Sequence, residues 1–210
     1  MSFSSDVAFT DAVKRIQTER GSRHAYARME EQRGGFAREV TPELAAFLAE
    51  RDSVYLATAN AEGQPYVQHR GGPRGFVRVL DAHTLAFADF VGNKQYITTG
   101  NLAENDRVFL FAMDYAQAER MKIWGRARVV ADDPALLAQL ADPSYPARLE
   151  QAIVFTVTAW DANCDQHIPR LLDANAVAAH VRTLEERIAT LEAQLRAAGQ
   201  DVAGANASIR

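Results

Sequence analysis

Between Ser53 and Val130 short runs rich in Val, Phe, Tyr and Thr alternate with turn-forming residues. Such runs read as strands, namely Ser53–Ala59, Tyr66–His69, Phe76–Leu80, Thr84–Phe90, Arg107–Asp114 and Met121–Val130. The links Asn60-Ala61-Glu62-Gly63 and Asp81-Ala82-His83 are hairpin-type connections, too short for a crossover helix, so their flanking strands must be antiparallel. Gly92–Asp106 is long enough for a short helix across one end of the sheet, and Gln151–Trp160 supplies a last, strongly apolar strand. Closure removes the exposed edges that a flat sheet leaves. The expected fold is therefore mainly β with flanking helices (α+β): a closed or nearly closed antiparallel barrel of six or seven strands.

Outside this region the periodicity is helical. Phe9–Gln32 carries Val13, Ile16, Ala25 and Met29 among many charges, interrupted at Gly21-Ser22, and reads as a leading helical arm. Thr41-Pro42-Glu43 has the form of a helix start, since threonine caps free N–H groups and proline is tolerated in the first turn. The helix Glu43–Arg51 then delivers the chain to the first strand, and Asp132–Leu140 reads as another helix. From Ala174 to Ala198, Val177, Val181, Leu184, Ile188, Leu191 and Leu195 alternate steps of four and three, the spacing of a coiled-coil seam. Val181, Ile188 and Leu195 at one core position and Val177, Leu184 and Leu191 at the other suit a parallel dimer, with Arg187 and Glu192 placed to pair across it. The same stripe also suits an amphipathic helix lying on its own barrel. The expected organisation is an arm over residues 1–40, a barrel domain over 41–172, a C-terminal amphipathic or coiled-coil helix over 173–198 and a small, polar, disordered tail over 199–210.

Composition narrows the partners. The chain has 210 residues, 48% hydrophobic and 24% charged, enough for one sizeable core. Its formal net charge of -4 argues against whole-surface attraction to nucleic acid or anionic lipid. No apolar run approaches the roughly 18 residues of a membrane span, and the first residues lack the order of a secretory signal, so a cytoplasmic protein is expected. The single cysteine, Cys164, excludes an internal disulfide. Cys164 and His167 offer only two metal ligands, with no second pair at suitable spacing, so no metal site is expected. A thiolate role for Cys164 needs a depressed pKa and an oriented base, neither legible from the segment.

Two glycine-containing polar turns carry the chemistry: Gln68-His69-Arg70-Gly71-Gly72 and Gly92-Asn93-Lys94-Gln95. On neighbouring strands they can gather main-chain N–H groups, an arginine and a lysine around one small anion, as a phosphate-bearing cofactor requires. Arginine grips phosphate through parallel hydrogen bonds and lysine supplies a compact charge. Read alone, Arg70 and Lys94 are equally at home as exposed turn residues. The chain has no G-x-G-x-x-G after a strand, no phosphate-binding loop ending in G-K-[ST], and no G-x-S-x-G elbow, which sets aside the common dinucleotide, triphosphate and serine-hydrolase readings.

The succession G-Q-P-Y-V-Q-H-R, T-L-A-F-A-D-F, G-N-K, N-L-A-E-N-D-R-V-F-L-F and M-K-I-W-G-R-A resembles the pyridoxamine 5′-phosphate oxidase-related, FMN-binding split-barrel superfamily over about Glu43 to Val130. The block from Trp160 to Ile168 is similar to one branch of flavin-nucleotide-binding proteins, with Asp165 where proline is expected. The resemblance implies FMN as cofactor and a homodimer with one flavin at each of two sites along the interface. It places Gln68, His69 and Arg70 along the flavin and its phosphate, and Asn93 and Lys94, followed by Gln95, at the phosphate. Asp89 and Phe90 fall at the pyrimidine edge, where main-chain groups alone could serve and Asp89 could be a turn residue. Arg120 falls where the second subunit usually supplies a polar group, although an ordinary solvated arginine fits the sequence as well. Gln166 and His167 line the flavin pocket, or else form a structural turn. His167 is the one candidate for proton handling, because histidine titrates near neutral pH.

The implied activity is a flavin-dependent oxidoreduction of a small molecule. A non-catalytic dimeric flavin carrier or adaptor remains open. Pyridoxamine 5′-phosphate oxidation is a minor alternative, because the coiled-coil-like helix stands where that enzyme's C-terminal substrate segment would be. Relatives on this fold also bind deazaflavin or haem.

Overall fold

A computed structural model of the chain describes residues 2–163 and 165–199. Cys164 and the tail expected after Gly199 lie outside the described residues, apart from Gly199 itself. A 3₁₀ turn at Ser4–Val7 precedes helices α1 (Asp11–Glu19), α2 (Arg23–Arg33) and α3 (Pro42–Ala49). Strands β1 (Ser53–Ala59), β2 (Pro65–Gly71), β3 (Arg78–Val79) and β4 (Thr84–Phe90) follow, then helix α4 (Ile97–Glu104), β5 (Arg107–Asp114) and β6 (Glu119–Val130). Helix α5 (Pro134–Leu140), β7 (Leu149–Ala162) and helix α6 (Ala174–Ala197) complete the order. Among the described residues, 2–114 and 118–168 form one compact unit, and 115–117 with 169–199 form a second.

The sheet is antiparallel throughout, with seven strands in the order β2-β1-β5-β6-β7-β4-β3. It is not closed, which corrects the expectation of a barrel: β2 and β3 remain its two edges. The reason lies between them. The expected strand Phe76–Leu80 shrinks to the two residues of β3, because Phe76 and Val77 turn into the core instead of joining a ladder. Gly72 lets the chain make that turn, since a Cβ there would stand 2.7 Å from Phe76 Cβ. Strand count alone cannot close a sheet whose last strand is too short to pair with the first.

The inner face is built by alternation. β1 buries Val54, Leu56 and Thr58, while β6 turns Met121, Ile123, Gly125 and Ala127 inward. The apolar side chains among them join Leu85, Phe87, Leu110, Ile153 and Phe155 in the main core, where burying a large side chain fully contributes about 1.5–3 kcal/mol. Helix α3 covers this core with Leu44, Phe47 and Leu48, an i, i+3, i+4 stripe. It begins as expected, with Pro42 in its first turn and the Thr41 hydroxyl accepting the Leu44 N–H at 3.3 Å. On the other side of β4 and β7, Ala86, Ala88, Ala152 and Val154 pack with Leu140 of α5, so both faces of these strands are covered. Gly125 sits where β6 shifts register against β7, and a Cβ there would come within 2.3 Å of Phe155 Cε1 and Thr156 O.

The N-terminal arm is docked by specific contacts. Phe36 stacks on Trp124 with ring centroids 5.3 Å apart, and Trp160 Nε1 donates to the Glu39 carbonyl at 2.7 Å. Within the arm Glu30 is buried, accepting from the Ser5 hydroxyl at 2.8 Å and pairing with Arg23. No helix among the described residues is long and apolar enough to cross a membrane.

Candidate functional site

Alternation along β2 decides which of its side chains face inward. Tyr66, Gln68 and Arg70 share one face, opposite Thr58, Leu56 and Val54 of β1. Val67 and His69 take the other face, where the His69 ring meets Tyr55 at 5.7 Å between centroids. Three consecutive strand residues cannot all point the same way, and the structure therefore sets Gln68 and Arg70 apart from His69.

Asp89, near the end of β4, is buried and faces Arg70. The Arg70 Nη1 donates to its Oδ1, and Gln151, directly opposite on β7, donates from Nε2 to its Oδ2 at 2.9 Å. The same Gln151 nitrogen reaches the Thr99 hydroxyl of α4 at 3.1 Å. The Arg70 side chain is only 13% exposed, and its Nε is buried with no hydrogen-bond partner. A guanidinium has five N–H donors, so pairing with Asp89 leaves capacity for a second acceptor. An orphaned buried N–H is costly enough to call for a partner.

The turn after β4 supplies the facing wall. Lys94 and Tyr96 both adopt left-handed backbone, with φ of 59° and 53°, a conformation that L side chains adopt reluctantly. Strain held in two non-glycine residues this close together is characteristic of functional loops. The Asn93 side chain braces the turn by accepting the Gln95 N–H at 3.2 Å. Tyr96 immediately precedes α4 and makes no side-chain cap to it, so the first N–H groups of that helix are left without a side-chain cap. The Thr98 hydroxyl donates to Gln68 Oε1 at 2.7 Å and ties the helix to β2. The Tyr96 hydroxyl donates to Glu150 at 2.9 Å, a bond to a carboxylate that raises the phenol above its ordinary pKa.

These elements enclose a recess of about 50 Å³ lined by Gln68, Arg70, Asp89, Phe90, Asn93, Lys94 and Gln95, together with Tyr66, Tyr96, Thr98, Thr99 and Glu150. The space suits one small group, since a single water in bulk takes roughly 30 Å³. Asp89 and Glu150 balance the formal charge of Arg70 and Lys94, so it is the unpartnered guanidinium N–H and the uncapped helix start that favour an anion there. Seven of the residues singled out from the sequence thus stand together. Tyr66, Tyr96, Thr98, Thr99, Glu150 and Gln151 were not foreseen: Gln151 reaches Asp89 only through the long-range register of β7, which no local signal reveals.

The remaining sequence-derived positions lie elsewhere in the subunit. Arg120, on β6, lines a cleft with Glu43, Arg51 and Asp114, and its Nε is also buried without a partner. Gln166 and His167 lie on an exposed turn beyond β7, where His167 has φ 63°. Among the described residues no group of three or more His, Cys, Asp or Glu is placed to hold a metal ion.

Residues 40–164 match the pyridoxamine 5′-phosphate oxidase family. The chain belongs to that family. Membership supports a flavin-nucleotide-binding protein of this broad group and leaves reaction and substrate open. No curated protein sequence matches the chain. Among solved structures it is similar to HupZ of Group A Streptococcus, at 17% identity over 63% of this chain and 98% of that one, with a TM-score of 0.48. An FMN-binding protein of Syntrophomonas wolfei aligns at 13% identity over 74% of this chain and 99% of its own, also with a TM-score of 0.48. HutZ, the heme storage protein of Vibrio cholerae, aligns at 19% identity over 59% and 93%, with a TM-score of 0.39. At these TM-scores the likenesses bear on neither cofactor nor reaction.

Proposed function

We propose that the protein binds FMN through its phosphate and is a flavin-dependent oxidoreductase of a small molecule. One observation carries the reading: the buried, unpartnered Nε of Arg70 in a phosphate-sized recess whose opposite wall is Lys94 and the uncapped start of α4. The donor set fits a phosphate monoester, because guanidinium and ammonium groups make charge-assisted bonds to its oxygens. When bound, FMN supplies hydride or electron acceptance. The protein's own part is to anchor and orient: Arg70, Lys94 and Asn93 hold the phosphate end, with Phe90 of β4 beside them in the wall of the recess.

The recess is too small for the rings, so the reading includes a second subunit that completes the site. The outer sheet face supports this. Register brings Val67, Ala57 and Phe109 into one row and His69, Tyr55 and Phe111 into the next, beside the Trp124 and Lys122 that Phe36 of the arm covers, an aromatic surface with Val67 left 59% exposed. In the proposed homodimer Arg120 of the second copy lends its cation to the flavin, and Gln166 and His167 flank it.

The bonding of Asp89 favours a second reading. The only carboxylate buried in the recess is held by Arg70 and Gln151, which suits a carrier that binds flavin without protein-borne acid–base chemistry. Turnover with a reductant and an acceptor separates enzyme from carrier. The cofactor is tested by the absorbance spectrum of the freshly purified protein and the mass of the compound it releases on heating. FMN is expected, and haem or a deazaflavin would overturn the assignment.

A further inference from the structure

We infer that α6 is one strand of a parallel, in-register, two-stranded coiled coil whose other strand is α6 of a second copy of this chain. The inference is independent of the flavin reading.

The helix is 24 residues long and none of its residues is buried. Its six seam residues, Val177, Val181, Leu184, Ile188, Leu191 and Leu195, are each between 40% and 55% exposed. Most helical stability in proteins comes from packing of an amphipathic face, so a continuous apolar seam left open calls for a surface to pack against. Val and Ile at one core position with Leu at the other is the combination that two-stranded parallel coils favour.

The charges beside the seam choose the partner and its direction. His180 and Arg187 occupy the position just before the first core residue of each heptad, and Glu185 and Glu192 the position just after the second. In a parallel, in-register pair, each such position meets the flanking position of the next heptad on the other strand. Arg187 then meets Glu192 of the second copy and His180 meets Glu185, and the two-fold axis repeats both pairs. Reversing one strand sets the glutamates against glutamates and Arg187 against basic side chains. Glu192 already bonds Arg196 one turn on, at 3.1 Å, which leaves its second oxygen open to a partner on the seam side. An unrelated amphipathic partner would have to reproduce this alternation, whereas a second copy carries it by symmetry.

The full-length protein carrying Cys164→Ser provides the test, so that only an introduced thiol reacts. Val177→Cys and Leu191→Cys, made separately, are each expected to form a disulfide-linked dimer under mild oxidation, because equal positions meet in a parallel coil. Adding Arg187→Glu to the Val177→Cys protein should slow cross-linking about tenfold, since two symmetry-related attractions become repulsions. Adding Glu192→Arg as well should restore the rate. Cross-linking only between a Val177→Cys copy and a Leu195→Cys copy would show antiparallel strands and overturn the inference. So would the absence of any cross-link, or failure of the double exchange to restore what the single exchange removes.

Discussion

Arg70 on β2 and Asp89 on β4 form an ion pair between two strands that four other strands separate in the sheet and that share no main-chain hydrogen bond. The edge region that main-chain pairing leaves open is thus spanned by side chains, and both partners line the recess. Fold and site meet in this pair. Removing the arginine leaves a nearly buried carboxylate with only Gln151 to satisfy it. Arg70→Ala is expected to cost about 3 kcal/mol of stability, and adding Asp89→Ala should recover much of it, because a missing pair costs less than an unpaired buried charge. Urea denaturation of the single and double variants checks this.

Lys94 is exposed and holds a left-handed conformation that glycine adopts without strain. Lys94→Gly should therefore stabilise the unliganded protein, by about 1 kcal/mol, while weakening FMN binding roughly tenfold. Melting temperature and a fluorescence titration of the same variant must move in opposite directions. A loss in both would make Lys94 a structural residue.

At Gly125 the β6–β7 contact is too close for any side chain. Gly125→Ala is expected to cost roughly 1–3 kcal/mol through overpacking against Phe155. The shift should appear equally with and without FMN, since the position lies away from the recess.

Much of this was legible locally. The cap at Thr41, the strand alternation and the two polar turns need only near neighbours, and the elements form where those signals stand. Closure did not follow, because whether Phe76 and Val77 extend a strand or fill the core depends on the cavity beneath α3. The facing of His69 away from Arg70 was implicit in strand periodicity, yet the motif treated them as one unit. Asp89, Thr99 and Gln151 converge from three distant segments, and only the assembled sheet brings them together.

Several surface carboxylates lie below their ordinary pKa of 3.8: Asp106 through Arg126, Asp6 through Lys14, Asp81 through the His83 N–H and Asp142 through Ser144. A depressed folded pKa means the unfolded chain takes up the proton first. Their contribution is complete above 3.8 and is lost as pH falls through the lower folded values. Asp106→Asn should thus lower the denaturation midpoint slightly near neutral pH and leave it unchanged well below pH 3.8.

The phosphate recess is tested most directly by titrating the cofactor-free protein with FMN and with riboflavin under identical conditions. FMN should bind tighter by tenfold or more, since each charge-assisted bond to the phosphate is worth about 1.5–3 kcal/mol, and Arg70→Lys should narrow the gap. Equal affinity for the two flavins would contradict the assignment of Arg70, Lys94 and the start of α4 as a phosphate site.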